Sequence, residues 1–445
     1  MFAYNRAQFD QLADDALAMA RALGASDTAV GLSESYGLSV NVRRRKVETV
    51  EQNRDKGLAV TVYLGQRRGD ANTSDFSRQA IEDTVRAAFD IARFTAEDPC
   101  AGLAEPKEFA RKVPDLDLFH PWAVTTEQAI ELAIRCEAAA LETARAISDC
   151  DASVSTSQGH FLAANSRGFR GGYPYSRHSL GVAPIAKRGR SMQRDGWYTS
   201  ERDALLLKEP ERVGRYAAER SLSRLGSRKL STRRVPILFE APLASGLLGS
   251  FSAAASGGSL YRQASFLLDA MGTKVFPSHL SITESPHQLG GMGSAPFDDD
   301  GVATRARKVV DRGRLKGWFL SCYSARKLGL KTTGNAGGEH NLAFVSDATD
   351  PSDDFAAMLR KMGTGLLVTE LMGQGINTVT GDYSRGATGF WVEGGEIAYP
   401  VEEITIAGNL RDMFRGIVAV GSDVYVRGSR STGSVLIDEM AVAGS

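Results

Sequence analysis

Glycine is unevenly spread along this chain: 30 of its 46 glycines fall in the last 217 of 445 residues, and the first 228 hold the other 16. A glycine inside a helix costs about 1 kcal/mol relative to alanine, so a stretch this rich in them is held to short elements joined by tight turns. The glycine-bounded apolar segments 363–369, 388–392 and 418–426 predict strands. A β-rich C-terminal domain over residues 229–445, with few long helices, is expected.

The first 228 residues have a different texture. Phe9, Leu12, Ala13, Ala16, Leu17, Ala20 and Leu23 recur at helical spacing, and Gly24 is placed to stop that helix. Leu38, Val40 and Val42 then alternate with polar residues, and 58–64 is apolar and β-branched, which predicts strands. Ile81, Val85, Ala88, Phe89 and Ala92 form a second helical face. Beyond a loop at 106–121, Thr125-x-x-Gln128 reads as a capping box for a third helix. Its buried face is Leu132, Cys136, Ala139, Ala140, Thr143 and Ile147. Strand-like segments at 152–155, 161–165 and 179–186 follow, and Pro210 opens a last helix bearing Val213, Tyr216, Ala217 and Leu225. Helix, strands, helix thus occurs twice, over 5–95 and 125–226. A local echo of Asn41-x-Arg43 in Asn165-x-Arg167 suggests an internal duplication. The fold class is therefore α+β: an N-terminal α/β domain over 1–228, the basic connector 226–234, and the β-rich domain.

With 53 Lys plus Arg against 53 Asp plus Glu and a pI near 7.0, no global field draws the chain to nucleic acid or anionic lipid. The most membrane-like stretch, 235–261, is interrupted by Pro236, Pro242 and many Ser and Gly, and reads as a buried strand followed by a helix. Residues 1–10 contain Arg6 and Asp10 without an apolar core, unlike a secretory signal, so a cytoplasmic location is expected. Cys100, Cys136, Cys150 and Cys322 form no CxxC pair and are expected to be buried free thiols.

Catalytic signatures are sparse. No Gly-x-Ser-x-Gly and no P-loop occurs, and no histidine is followed by glutamate, so HExxH cannot be written. His279 and His287, eight apart with Pro286 between them, do not share a helical face. Asp298-Asp-Asp-Gly301 resembles the opening of a calcium loop but lacks the closing glutamate, and reads as a solvated acidic turn. Glu339-His340, after Gly337-Gly338, is either an acid/base pair on a loop or a structural pair.

The block from Gly381-Asp-Tyr-Ser-Arg-Gly-Ala-Thr-Gly-Phe-Trp391 through Glu396-Ile-Ala-Tyr-Pro400 to Ala407-Gly-Asn-Leu410 resembles the TldD/PmbA family, also called modulator of DNA gyrase. Ser256-Gly-Gly-Ser-Leu-Tyr-Arg262 with Ser265-Phe266, Thr333-Gly-Asn-Ala336 and Gly433-Ser-Val-Leu436 match it too, and the resemblance spans the whole chain. TldD-type subunits of that family carry a helical HExxxH motif and a zinc-binding cysteine near the C-terminus. Aligned on Leu247-Leu248, the two histidine positions fall on Gly249 and Ala254 and the glutamate position on Ser250. Residues 243–261 contain no His, Cys, Asp or Glu, and no cysteine follows Cys322.

The resemblance therefore implies the PmbA (TldE) branch. That is a subunit of a cytoplasmic TldD/TldE-like metallopeptidase complex which degrades or processes unfolded peptides, with no cofactor of its own and zinc in a TldD-like partner. Glu339, His340, Tyr383, Arg385 and Trp391 are its peptide-contact candidates, the last three being alternatively packing anchors of a structural hairpin. The other readings are a self-sufficient, homodimeric metallopeptidase with unrecognised ligands, or a regulator acting on DNA gyrase or toxin–antitoxin proteins. A membrane or nucleic-acid partner is not expected.

Overall fold

Both helix–strands–helix blocks of the N-terminal region are opened by side-chain caps. In a computed structural model that describes residues 2–444, with Met1 and Ser445 outside the described residues, Asn5 and Gln8 form a capping box that opens the helix Arg6–Ala22. Thr125 and Gln128 do the same for Thr126–Thr143, as their spacing predicts. The helices Arg78–Phe94 and Pro210–Ser223 complete the set, the latter with proline in its first turn.

These helices cover an eight-stranded sheet whose main order is Arg67–Thr73, Lys46–Leu64, Asp27–Arg43, Ile147–Asn165, Pro174–Arg188 and Ser191–Arg194. Its centre is the antiparallel pairing of Asp27–Arg43 with Ile147–Asn165, where the two helix–strands–helix blocks meet. Val30 and Leu32 pack under the first helix pair, and Val40, Val42 and Val154 under the second. All are even-numbered, so by the two-residue strand period all four helices cover one face. The opposite face carries Ser33, Ser35, Ser39, Ser153, Ser155 and Ser157, all exposed or half-buried.

Three expectations are corrected here. The segments 152–155 and 161–165 are one 19-residue strand, because the polar run between them is satisfied inside the fold. Thr156 Oγ1 lies 2.8 Å from His178 Nδ1, His178 Nε2 is 2.9 Å from the His120 carbonyl, and Gln158 Nε2 donates to the Trp122 carbonyl at 3.2 Å. The third helix ends at Thr143, and Ile147 begins that strand rather than completing the helical face. The fully buried Glu137 joins the face instead, accepting from Arg45 N at 2.7 Å. Cys100 is half-buried, whereas the other three cysteines are buried; all four are free thiols.

Beyond the connector the chain builds two six-stranded sheets. One runs Arg314–Leu315, Arg307–Asp311, Leu280–Glu284, Leu342–Ser346, Arg430–Thr432 and Tyr425–Arg427. The other runs Glu396–Asn409, Asp382–Glu393, Gly365–Met372, Arg233–Phe239, Val435–Ala443 and Ile417–Val420. A further pairing of residues 405–407 with 441–443 closes five of its strands into a ring. The predicted strand at 418–426 is split between the two sheets, since the chain turns at Gly421. The basic connector is no free arm: Arg228 N donates to the Pro400 carbonyl at 2.9 Å and its guanidinium lies 4.6 Å from the Tyr399 ring.

The helix Ala241–Ala254 sits between these sheets, with Ala244, Leu247, Leu248 and Phe251 at 0–2% exposure. Phe251 meets Phe276, Phe319 and Phe414 edge-on, with ring centroids 5.6–6.4 Å apart. Burying one such ring contributes about 1.5–3 kcal/mol, which anchors a helix that has no polar stripe of its own. The α+β architecture with a β-rich C-terminal region is as expected.

Candidate functional site

Small residues let this helix approach its neighbours. Ser256 caps the next turn, Gly257–Tyr261, by accepting from Ser259 N. A Cβ at Gly257 would stand 2.2 Å from Ser324 Oγ, so only glycine fits there. Opposite runs the loop 333–341, where Gly337 and Gly338 adopt φ of 96° and 123° and reverse the chain. Between helix and loop lies a cavity of about 470 Å³ bordered by Gly249, Ser252, Tyr261, Gly338, Glu339 and Arg430.

Glu339 is the centre of the polar wall. Its Oε2 accepts from Ser252 Oγ at 2.6 Å, and its Oε1 accepts from Arg430 Nε at 3.0 Å and Nη2 at 2.5 Å. Burial pushes the carboxyl up, but the Ser252 hydroxyl and the Arg430 guanidinium outweigh it and hold Glu339 below the usual carboxylate range. His340 turns the other way. Its backbone N donates to Glu284 Oε1 at 3.0 Å and its Nδ1 lies 3.2 Å from the same oxygen, which also accepts from Asn335 Nδ2 at 2.6 Å. Arg307 Nε donates to the second oxygen at 2.7 Å. Glu284 is 2% exposed; despite the upward push of burial, His340 and Arg307 hold it below the usual range. Thr333-Gly-Asn-Ala336 thus supplies the amide that fastens this loop to the strand Leu280–Glu284.

A second cavity, about 670 Å³, lies on the far side of the loop and is lined by Ser33, Lys56 and Phe161 of the N-terminal sheet together with Asp298, Asp299 and Glu339. Asp298 is not part of a solvated turn: it is 4% exposed and accepts from the backbone N–H groups of Asp300, Val302 and Ala336 at 2.9–3.0 Å. Burial and the neighbouring Asp300 push its carboxyl up to about 7 against those donors.

The hairpin candidates are placed elsewhere. Tyr383 and Trp391 are 3% and 5% exposed in the C-terminal core, and burial pushes the Tyr383 hydroxyl up to about 12. Trp391 Nε1 donates to Glu393 at 2.8 Å. Arg385 is half-buried, with Nε lacking a partner among the described residues. His279 pairs with Ser346 and the Ile417 carbonyl, and His287 with Thr304. Ser252, Glu284 and Arg430 carry no sequence signal as site residues, whereas Asn335 lies in Thr333-Gly-Asn-Ala336.

Gly249, Ser250 and Ala254, which the resemblance aligns with zinc-site positions, do not compose a zinc donor set. Zinc sites are built from several converging imidazole, thiolate or carboxylate donors. Gly249 has no side chain, and a Cβ built there would lie 2.9 Å from Arg430 Nη1, so the guanidinium fills that space. Ser250 Oγ donates back to the Gly246 carbonyl at 3.0 Å, and Ala254 is fully buried. The Cys322 thiol is buried and pushed up by that burial. Among the described residues no group of three or more His, Cys, Asp or Glu is arranged to hold a metal ion.

Three family models match in succession: PmbA/TldA metallopeptidase domain 1 at residues 29–92, the central domain at 119–225 and the C-terminal domain at 232–444. Metalloprotease PmbA of Escherichia coli O157:H7 is 50% identical over 429 residues, 96% of this chain and 94% of that protein. The PmbA homolog of Haemophilus influenzae is 45% identical over 431 residues, 97% and 95% of the two chains. Among solved structures, a candidate modulator of DNA gyrase from Bacteroides thetaiotaomicron superposes with a TM-score of 0.92 at 26% identity, over 98% of this chain and 99% of that one. TldE from Thermococcus kodakarensis shares the fold, with a TM-score of 0.85 at 17% identity over 97% and 100%. Matches of this extent run through both the N-terminal and the C-terminal regions, and the chain belongs to the PmbA/TldD metallopeptidase family.

Proposed function

We propose that this chain is the TldE-type subunit of a cytoplasmic TldD/TldE-like metallopeptidase complex that degrades or processes unfolded peptides, and that it contributes the wall of the reaction chamber rather than the zinc. The observation that carries this reading is the guanidinium of Arg430, packed on Gly249 and locked to Glu339, beside the position that the resemblance aligns with a zinc-binding histidine. A catalytic zinc acidifies water and polarises the scissile carbonyl, and here a fixed cation with no open coordination position stands instead. The metal then comes from a TldD-like partner. The serine-lined face of the N-terminal sheet and the two cavities flanking residues 337–339 support a peptide-handling role. In this reading 1–228 and 229–445 are the two domains, the first built from the repeats 5–95 and 125–226. Glu339 borders both cavities and is the peptide contact; His340 holds the loop, and Tyr383, Arg385 and Trp391 hold the hairpin.

The test is zinc content and peptidase activity of the purified chain, alone and after mixing with a TldD-like chain. Zinc and activity only in the mixture are expected. Zinc-dependent cleavage by this chain alone would overturn the assignment, and loss of that cleavage in E339A or H340A would establish the self-sufficient reading instead.

A further inference from the structure

Away from the zinc positions, a cleft of about 520 Å³ lies between the strand Trp197–Glu201 of the N-terminal sheet, the helix Pro210–Ser223 and the strand Tyr425–Arg427 of the C-terminal region. Arg177, Lys208, Arg212, Arg215 and Arg427 line it against two carboxylates, Glu201 and Glu219. Among the described residues none of these five cations has an ion-pair partner within 4.0 Å. Five cations against two carboxylates leave a local positive excess in a chain of zero net charge.

Arg427 is the best placed of them. Its guanidinium lies 3.9 Å from the Tyr198 ring centroid, with Trp197 and Tyr425 at 5.4 and 5.5 Å. Its Nη1 is buried yet has no hydrogen-bond acceptor. A buried donor left unpaired costs about 1–3 kcal/mol, and a guanidinium packed this close to three aromatic rings carries a planar N–H fork of the kind that pairs a carboxylate through two parallel bonds.

The backbone around the cleft narrows the ligand further. Among the described residues Trp197–Glu201 pairs as a strand only with Pro174–Arg188, and Tyr425–Arg427 only with Arg430–Thr432. Two short strands, each with one side unpaired, therefore border the same cleft, and an extended chain can add to such an edge through main-chain bonds of any sequence. Aromatic rings and cations also suit single-stranded nucleic acid, but a nucleic-acid strand lacks the regular N–H and C=O repeat that an open strand edge pairs with.

We propose that this cleft binds an extended polypeptide segment by edge-strand addition and fixes it through a carboxylate held by Arg427. This deepens, and rests on, the peptide-handling reading above. The carboxylate is either the peptide's C-terminus or an acidic side chain.

The test is fluorescence anisotropy on the full chain with a labelled, unstructured peptide carrying one internal Glu and a free C-terminus. Its C-terminally amidated form and its Glu→Gln form are measured in parallel. Loss of a charge-assisted pair is expected to weaken Kd about tenfold or more in Arg427→Gln, and equally in whichever peptide lacks the recognised carboxylate. Weakening with the amidated form assigns the C-terminus, and with the Gln form the side chain. The double variant K208Q/R212Q, at the cleft's rim, is expected to weaken binding about threefold or more and serves if R427Q does not fold. The proposal is overturned by no saturable peptide binding, by both altered peptides binding like the parent, or by unchanged affinity in both variants. Displacement of the peptide by oligothymidylate at lower concentration than by unlabelled peptide overturns it too. Support by the R427Q chain of a TldD-like partner's zinc-dependent cleavage would leave the chamber reading standing even then.

Discussion

The pair Glu339–Arg430 permits a quantitative test, because its burial is intermediate and its energy therefore discriminates between two descriptions of the site. The closest N···O separation is 2.5 Å, with side-chain exposures of 13% for Glu339 and 34% for Arg430. Two unit charges at ~3 Å attract by about 5 kcal/mol at an effective dielectric of 20, whereas fully exposed pairs are worth about 0.2–1 kcal/mol. Arg430 is one-third exposed, so solvent screening removes most of the larger figure and leaves a coupling of about 1.5 kcal/mol. For a cooperative unit of the size of the C-terminal region this corresponds to roughly 3–6 °C in Tm. The assay is a double-mutant cycle of E339Q, R430M and the double variant, followed by thermal unfolding in one buffer. Each single variant strands a half-buried partner, so the double variant should cost less than the sum of the two. Single effects that add to within about 0.3 kcal/mol would refute the reasoning. They would mean that Arg430 is a solvated surface cation and not fixed in the space beside Gly249.

Glu284→Gln should destabilise more, by about 3–5 kcal/mol, because Arg307 then loses a buried counter-charge; thermal unfolding measures it. The folded carboxyls of Glu284 and Glu339 are held low, so their contribution is complete above the unfolded value near 4.3 and is lost as pH falls through the folded values. Tm measured against pH should drop below about pH 4, and the drop should shrink in the double variant E284Q/E339Q. Gly214→Ala should cost about 1–3 kcal/mol, since its Cβ would lie 2.2 Å from the Cys136 carbonyl where two helices cross, while Gly31→Ala meets nothing within 4 Å and should leave Tm unchanged. In the folded chain iodoacetamide at pH 8 should modify Cys100 alone: Cys136 is buried and pushed up to about 12, and Cys150 and Cys322 are pushed up by burial as well. Mass spectrometry reads the sites, and rapid alkylation of Cys136 would contradict the packing.

Elements whose causes are local were legible in the chain. The Thr125 and Gln128 box, Pro210 in the first turn of its helix and the strand-then-helix reading of 235–261 depend on neighbours within a few residues, so spacing alone revealed them. The long strand Ile147–Asn165 was read as two pieces because its polar centre looks like a break until His178 and the Trp122 carbonyl, from other elements, satisfy it. Glu137 and the nearly fully buried Arg224 lay outside the predicted core for the same reason: a charged side chain is buried only where a partner waits, and partners are not written beside it.

The same division holds at the site. The sequence by itself determined that residues 243–261 carry no metal-ligating side chain, since composition does not depend on folding. It also determined which family the motifs resemble, and that glycine-bounded strands fill the second half. Packing between distant elements set what stands beside Gly249. Arg430 reaches Glu339 across 91 residues and Ser252 reaches it across 87, while Glu339 and His340, adjacent in the chain, turn to different partners. Likewise Trp197–Glu201 and Tyr425–Arg427 share a cleft only because two separate sheets bring their edges together. Hydrogen bonds and ion pairs at this range are selected by packing of the elements that carry them, and no local pattern encodes that choice.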